Sequence, residues 1–285
     1  MMVQEFAPAK VNLTLHITGQ RDDGYHLLDS LVMFASVGDT LTLSAAKNLA
    51  LEVDGPEAPS VPIGGNSVLS AAEMLAPSKG ALLRLTKTLP VAAGIGGGTA
   101  DAAAAYRGLS QLWGLPSASP TPSTFNHVAK LGADVPVCLF SRTARMSGIG
   151  DQVEFLPDLP RLNAVLINPR TPVSTPDVFN LISSKNNPSM TGVPDATVAQ
   201  GDFVAWLATQ RNDMQQAAVT LAPIISDVLS ALAETTGCQL ARMSGSGATC
   251  FGIYPDAHAA SKAASAISQA HPDWWVQPCT LGDGA

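Results

Sequence analysis

The sequence predicts an α+β protein of two lobes, and three observations carry that expectation. Segments with alternating apolar residues are interspersed with alanine-rich helical stretches. A glycine-dense loop, residues 90–101, stands between a strand and a helix. A proline-dense stretch, Leu156-Pro157-Asp158-Leu159-Pro160, marks a boundary, giving lobes at 1–157 and 158–285.

In the first lobe, residues 10–18 read as a strand. Val11, Leu13, Leu15 and Ile17 share one face, and Lys10, Asn12, Thr14, His16 and Thr18 the other. Pro8 donates no ladder hydrogen bond, so pairing is expected to begin after it. Residues 19–24 form a turn, and Tyr25-His26 opens an apolar stretch ending at Phe34. Residues 37–43 and 49–53 read as strands, and 54–65, rich in proline and glycine, as a loop. Asn66 is placed to cap a helix over 67–75.

Residues 81–89 read as the strand that feeds the glycine loop. The loop, Pro90-Val91-Ala92-Ala93-Gly94-Ile95-Gly96-Gly97-Gly98-Thr99-Ala100-Asp101, has four glycines within five positions before alanines take over. Thr99 is the expected N-cap, with Asp101 in the first turn, where the helix dipole favours a carboxylate. Glycines let the backbone approach a ligand closely, so N–H groups of the loop and of the helix start converge on an anion such as phosphate. A dinucleotide fingerprint needs glycine where Thr99 stands, and a Walker loop needs a lysine that is absent.

The alanine helix runs to about Trp113 and stops at Gly114; residues 116–122 form a loop and 124–131 a helix ending at Gly132. Asp134 leads an apolar run, a position that suits a turn former or a partly desolvated functional carboxylate. In the second lobe, strands are expected at 163–167, 238–243, 249–254 and 274–279, and helices at 203–210, 224–235 and 256–270. Residues 183–197 read as a polar, mobile loop.

Composition narrows the function. Only 14% of residues are charged and the net charge is −7, which argues for an ordered globular protein and against a nucleic-acid partner. The four cysteines are scattered, so neither a disulfide framework nor a zinc site is expected, and no protein metal ligands are assigned. No basic leader with an apolar core and no run of ~20 apolar residues is present, so the expectation is a cytoplasmic protein with no membrane partner.

Four ordered segments resemble the GHMP kinases: Pro8-Ala9-Lys10-Val11-Asn12-Leu13 with Gly24-Tyr25-His26, the glycine loop, Leu131-Gly132-Ala133-Asp134-Val135-Pro136, and Met243-Ser244-Gly245-Ser246-Gly247-Ala248. The triple glycine is similar to members that phosphorylate a cytidylyl sugar alcohol in the non-mevalonate isoprenoid pathway. Here Ile95 stands for leucine, and Thr99 and Ala100 for two serines. The resemblance implies a GHMP-kinase fold, with a mixed sheet and the glycine loop in the N-terminal lobe and a ferredoxin-like α/β sandwich in the C-terminal lobe.

It also implies ATP as phosphoryl donor, with Mg2+ held mainly by the phosphates. Lys10 and Asp134 become the catalytic pair, Asp134 as base. ATP falls to Pro90 through Ala100 (Pro90, Val91, Ala92, Ala93, Gly94, Ile95, Gly96, Gly97, Gly98, Thr99, Ala100), with Asn66 and Lys87. The alcohol falls to Asn12, Tyr25, His26, Phe179, Ser246 and Gly247, Phe179 completing an aromatic sandwich on cytosine. A monomer or homodimer is expected. The alternatives are a GHMP kinase for homoserine, mevalonate or a sugar, and a nucleotide-binding regulator without catalysis.

Overall fold

A computed structural model describes residues 2–62 and 64–283. In chain order the elements begin with β1 (Met2–Asn12), β2 (His16–Gln20), β3 (His26–Ala45), β4 (Ala50–Asp54), α1 (Ser67–Leu75) and β5 (Ala81–Thr86). Then come α2 (Gly97–Trp113), α3 (Pro122–Val128), α4 (Val135–Phe140), β6 (Ala144–Gly148), β7 (Gln152–Phe155) and β8 (Leu162–Asn168). The chain continues through α5 (Thr175–Leu181), α6 (Gln200–Ala208), α7 (Gln215–Leu221), α8 (Ile224–Ala233), β9 (Leu240–Met243), β10 (Cys250–Tyr254), α9 (Ala257–Ala270) and β11 (Trp275–Gly282).

The chain divides into two compact units, and they differ from the expected lobes 1–157 and 158–285. The first comprises the residues up to Lys10, Val37–Val91 and Gly96–Ser141. The second comprises Val11–Ser36, Ala92–Ile95 and everything from Arg142 on. The strand β1, the long strand β3 and the glycine loop each contribute to both units, so no single cut of the chain separates them.

In the first unit β5 pairs in parallel with β4 and antiparallel with Thr40–Ala45 of β3, a mixed sheet. The helices α1 and α2 pack together, and both bury alanines: Ala71 and Ala72 on α1, and the run Ala102–Ala105 on α2. Small side chains permit that close approach. Gly108 extends the logic, because a Cβ there would lie 2.5 Å from a Leu43 methyl. Asn66 caps α1 as expected, its Oδ1 accepting from the Val68 N–H at 2.9 Å. Gly114 closes α2 in the left-handed region at φ 64°.

In the second unit β11, β8, β10 and β9 lie side by side, all antiparallel. Chain order β8-α8-β9-β10-α9-β11 with that strand order is the ferredoxin-like arrangement. The amphipathic helices α8 and α9 set Ile225, Val228, Leu232, Ala260, Ala264 and Ile267 into one core with Val165, Ile167, Cys250 and Tyr254 of the sheet.

Several sequence expectations change. Pairing does not wait for Pro8: β1 runs through it, because Gly38 opposite has no side chain and a Cβ there would come within 2.7 Å of the Pro8 Cα. The strand expected over 10–18 breaks after Asn12, and β2 resumes at His16. Between them the Leu13 N–H donates to the Leu31 carbonyl and the Leu15 N–H to the Arg211 carbonyl, and Asn12, Thr14 and His16 are as buried as the apolar face. The segments 27–34 and 37–43 fuse into the twenty-residue β3. Residues 183–197 hold no helix or strand, yet Asn187 and Met190 anchor them through N–H bonds to the Ile17 carbonyl and the Asp29 carboxylate.

Candidate active site

The end of β1 carries Lys10 and the start of α4 carries Asp134, and the two side chains meet: Lys10 Nζ donates to Asp134 Oδ2 at 2.7 Å. Asp134 occupies the N-cap position of α4 but makes no side-chain capping bond. Gly132, at φ 157°, and the bond from Val135 N–H to the Gly132 carbonyl shape the turn before it. The lysine is 4% exposed, whereas the aspartate side chain is 33% exposed. A buried cation thus touches a carboxylate that solvent or substrate can still reach.

The glycine loop begins beside this pair. Gly96, not Thr99, caps α2, with φ 65° in the left-handed region, and a Cβ on it would stand 3.3 Å from Lys10 Cβ. The helix therefore starts three residues earlier than expected, and Thr99 lies in its first turn, its hydroxyl donating to the Gly96 carbonyl at 2.7 Å. The N–H groups of Gly97, Gly98 and Thr99 have no acceptor within the helix and stand at its positive end. Cys138 of α4 lies 3.9 Å from the Thr99 hydroxyl. Burial pushes its thiol up to about 12, so it is a packing residue and not a nucleophile.

The first half of the loop is anchored in the second unit. Gly94, at φ 73°, faces Ser244–Gly247 so closely that a Cβ would come within 2.5 Å of the Gly247 carbonyl oxygen. Ser244 Oγ donates to the Gly94 carbonyl at 3.2 Å, and the Thr249 N–H to the Ala93 carbonyl. Ala93 and Ile95 are buried. Pro90 is buried, and Val91 and Ala92 are exposed.

Lys87 and Asp101 depart from expectation. Lys87 Nζ donates to Asp39 at 2.6 Å and to Asp101 at 2.8 Å, and all three groups are buried. Burial alone lowers an ammonium pKa, but the two carboxylates outweigh it and raise that of Lys87. Asp101 is pushed up to about 7, chiefly by burial. It sits one turn inside α2, not in the first turn, because its lysine partner lies beneath the helix: a Cβ on Gly97 would be 3.2 Å from Lys87 Nζ. The Lys87 ammonium thus supports the loop from below and faces carboxylates. Asn66 is engaged by its capping bond, and Ser67 Oγ donates to the Gly98 carbonyl at 2.8 Å. Sequence reasoning missed Asp39; the available signal was a charge, in Val37-Gly38-Asp39, at the head of an apolar strand.

The residues expected to hold the alcohol lie in the second unit. Asn12 donates from its backbone to Ser244 Oγ at 3.0 Å and from its amide to Ser30 Oγ at 2.8 Å. Ser246 Oγ lies 2.7 Å from Thr175 Oγ1, and Gly247 packs on Met243. A cavity of about 510 Å³ is lined by Tyr25, His26, Thr175, Phe179, Asn180 and Lys185, among others. His26 and Phe179 stack on each other, centroids 4.6 Å apart and planes 13° off parallel. A ring inserted between these two would need about twice the spacing of a stacked pair, so no base enters there. The pair instead forms one wall, and Tyr25, 61% exposed, stands free at the rim. Burial, helped by the Lys185 charge, lowers the His26 pKa and favours the neutral imidazole.

No group of three or more His, Cys, Asp or Glu able to hold a metal occurs among the described residues. No helix there is long and apolar enough to cross a membrane.

Comparison with known proteins gives the family. The family model of the GHMP kinases N terminal domain matches residues 66–142, and that of the GHMP kinases C terminal domain matches 198–273. The chain is 53% identical to 4-diphosphocytidyl-2-C-methyl-D-erythritol kinase of Roseobacter denitrificans, over 100% of this chain and 95% of that protein. It is also 53% identical to the enzyme of that name from Ruegeria pomeroyi, over 96% and 98% of the two chains. A crystal structure of 4-(cytidine 5'-diphospho)-2C-methyl-D-erythritol kinase superposes with a TM-score of 0.78 at 30% identity, covering 99% of this chain and 100% of that one. Homoserine kinase from Cytophaga hutchinsonii shares the fold, with a TM-score of 0.69 at 19% identity over 99% and 96% of the chains. The chain belongs to the GHMP kinases, in the group of the 4-diphosphocytidyl-2-C-methyl-D-erythritol kinases.

Proposed function

We propose that the chain transfers the γ-phosphoryl of ATP to a hydroxyl of 4-diphosphocytidyl-2-C-methyl-D-erythritol, with Lys10 and Asp134 at the reacting centre. The single observation that carries the assignment of the centre is the 2.7 Å contact of Lys10 with a carboxylate that stays accessible, beside the capping glycine of α2. The alcohol oxygen attacks phosphorus, the bond to the ADP oxygen breaks, and Asp134 takes the hydroxyl proton. Phosphoryl transfer passes through a loose transition state, so positioning and charge stabilisation do most of the catalysis. Lys10 supplies a fixed positive charge next to both the accepting carboxylate and the transferring group.

The amides of Gly97, Gly98 and Thr99 hold phosphate oxygens at the helix start. Magnesium carried by the nucleotide would neutralise phosphate charge. The residues present fit a metal carried by the phosphates: Ala100 offers no hydroxyl, and Asp101 is tied to Lys87. The cytosine ring lies in the cavity walled by His26 and Phe179, with the free ring of Tyr25 covering it; the neutral imidazole suits hydrogen bonding to an uncharged base.

ADP release measured with the cytidylyl alcohol, homoserine, mevalonate and galactose tests the reading. The cytidylyl alcohol is expected to be turned over at least ~100-fold more efficiently than the others, the scale lost when a site's polar groups go unpaired. Equal or greater activity on another alcohol overturns the substrate assignment, and no ADP release with any of them favours a regulator.

A further inference from the structure

One arginine outside the proposed centre touches every element that builds it. Arg107 lies on α2, the helix that starts at the glycine loop. Its Nε donates to Glu5 Oε2 at 2.7 Å, and one terminal nitrogen to the Phe6 carbonyl at 2.7 Å, both on β1. The other terminal nitrogen donates to the Cys138 and Leu139 carbonyls, at 3.1 and 3.3 Å, in the last turn of α4. A single planar guanidinium therefore joins three elements. Only Arg has the fork geometry to do so, since a lysine ammonium donates from one point.

The two elements that Arg107 joins are the carriers of the Lys10–Asp134 pair. From Phe6, β1 runs four residues to Lys10, roughly 13 Å. From Leu139, α4 runs back five residues to Asp134, roughly 7.5 Å. Strand and helix are thus clamped at one end by Arg107 and meet at the other in the ion pair. α4 is a short helix of six residues, preceded by the Gly132 turn, and its own capping bond is missing. The clamp ties its last turn to β1, and Arg107 is a lone cation on an otherwise apolar stretch of α2.

We infer that Arg107 is a positioning residue for phosphoryl transfer: it sets the spacing of β1 and α4, and hence the reach of Asp134 toward the acceptor hydroxyl. This rests on the reading of Asp134 as the proton acceptor. Small misplacements of a reacting group are costly, on the order of 100-fold for about 1 Å.

The test measures kcat and KM for Arg107→Lys, Asp134→Asn and the double variant, with ATP and the cytidylyl alcohol. Arg107→Lys is expected to lower kcat about 10- to 30-fold with both KM values within about 2-fold, the signature of a loss felt only in the transition state. In the Asp134→Asn background the same change is expected to cost less than about 2-fold, because a residue acting through Asp134 has nothing left to position. Losses that multiply, or a kcat within about 2-fold of the parent for Arg107→Lys, overturn the inference. Near-normal turnover of Asp134→Asn overturns instead the reading on which it rests. If Arg107→Lys yields no folded protein, Glu5→Ala carries the test, because it removes one of the two bonds that tie Arg107 to β1 while leaving those to the Phe6 carbonyl and to α4. It is then expected to lower kcat about 3-fold with unchanged KM values, and an unchanged kcat overturns the inference.

Discussion

Two lysines in the same unit hold carboxylates at nearly the same distance, and burial of the partners gives them different work. Lys10 meets Asp134 at 2.7 Å, and that aspartate keeps a third of its side chain exposed. Lys87 meets Asp39 at 2.6 Å and Asp101 at 2.8 Å, and neither aspartate is more than 4% exposed. A pair that substrate can reach is able to exchange a proton with it; a sealed cluster holds backbone in place. The sealed cluster does so visibly, with Asp39 Oδ1 also accepting the N–H groups of Thr88 and Leu89 at 2.6 and 2.8 Å. Ion-pair distance does not separate the two arrangements, and solvent access does.

The comparison breaks first at Lys87. Lys87→Met leaves two carboxylates buried without a counter-ion and is expected to cost about 3–5 kcal/mol of stability, read by denaturant unfolding. A change under about 1 kcal/mol contradicts a sealed structural role.

The pH dependence sharpens it next. The folded-state value of Asp101 is raised from 3.8 to about 7, so the folded protein binds the proton more tightly than the unfolded chain. Its contribution is fully present below about pH 4 and is lost as pH rises through about 7. Asp101→Asn is therefore expected to remove a fall in stability on the order of 2 kcal/mol between pH 5 and 8, measured as unfolding free energy at each pH. Parallel pH profiles for parent and variant contradict the assignment.

The smallest effect belongs to the open pair. Lys10→Met is expected to change stability by about 1 kcal/mol or less, because the partly exposed Asp134 can be hydrated once its partner is gone. Unfolding curves of this variant and of Lys87→Met, run together, set the two lysines apart; equal losses would erase the distinction.

Much of this was legible in the sequence. The glycine cluster, the cap at Asn66, the stop at Gly114 and the pairing of Lys10 with Asp134 follow from local chemistry or from the ordered motifs. What escaped depended on contacts distant in sequence. Thr99 reads as a cap, but Gly96 occupies the left-handed position that a threonine resists. Lys87 and Asp101 read as a nucleotide contact and a dipole partner until Asp39, from another strand, is placed between them. The His26–Phe179 stack joins residues 153 positions apart, and no local pattern says that they touch each other and leave no gap for a base. Arg107 looks like a stray charge on an alanine helix until β1 and α4 are packed against it.

The most direct test of the open pair is the steady-state kinetics of Asp134→Asn with ATP and the cytidylyl alcohol, alongside a nucleotide titration. The expected result is a kcat at least ~100-fold lower, the scale of general-base loss, with nucleotide affinity within about 2-fold of the parent. A kcat near that of the parent would mean that another group takes the proton, and the distinction drawn between the two lysines would then carry no catalytic meaning.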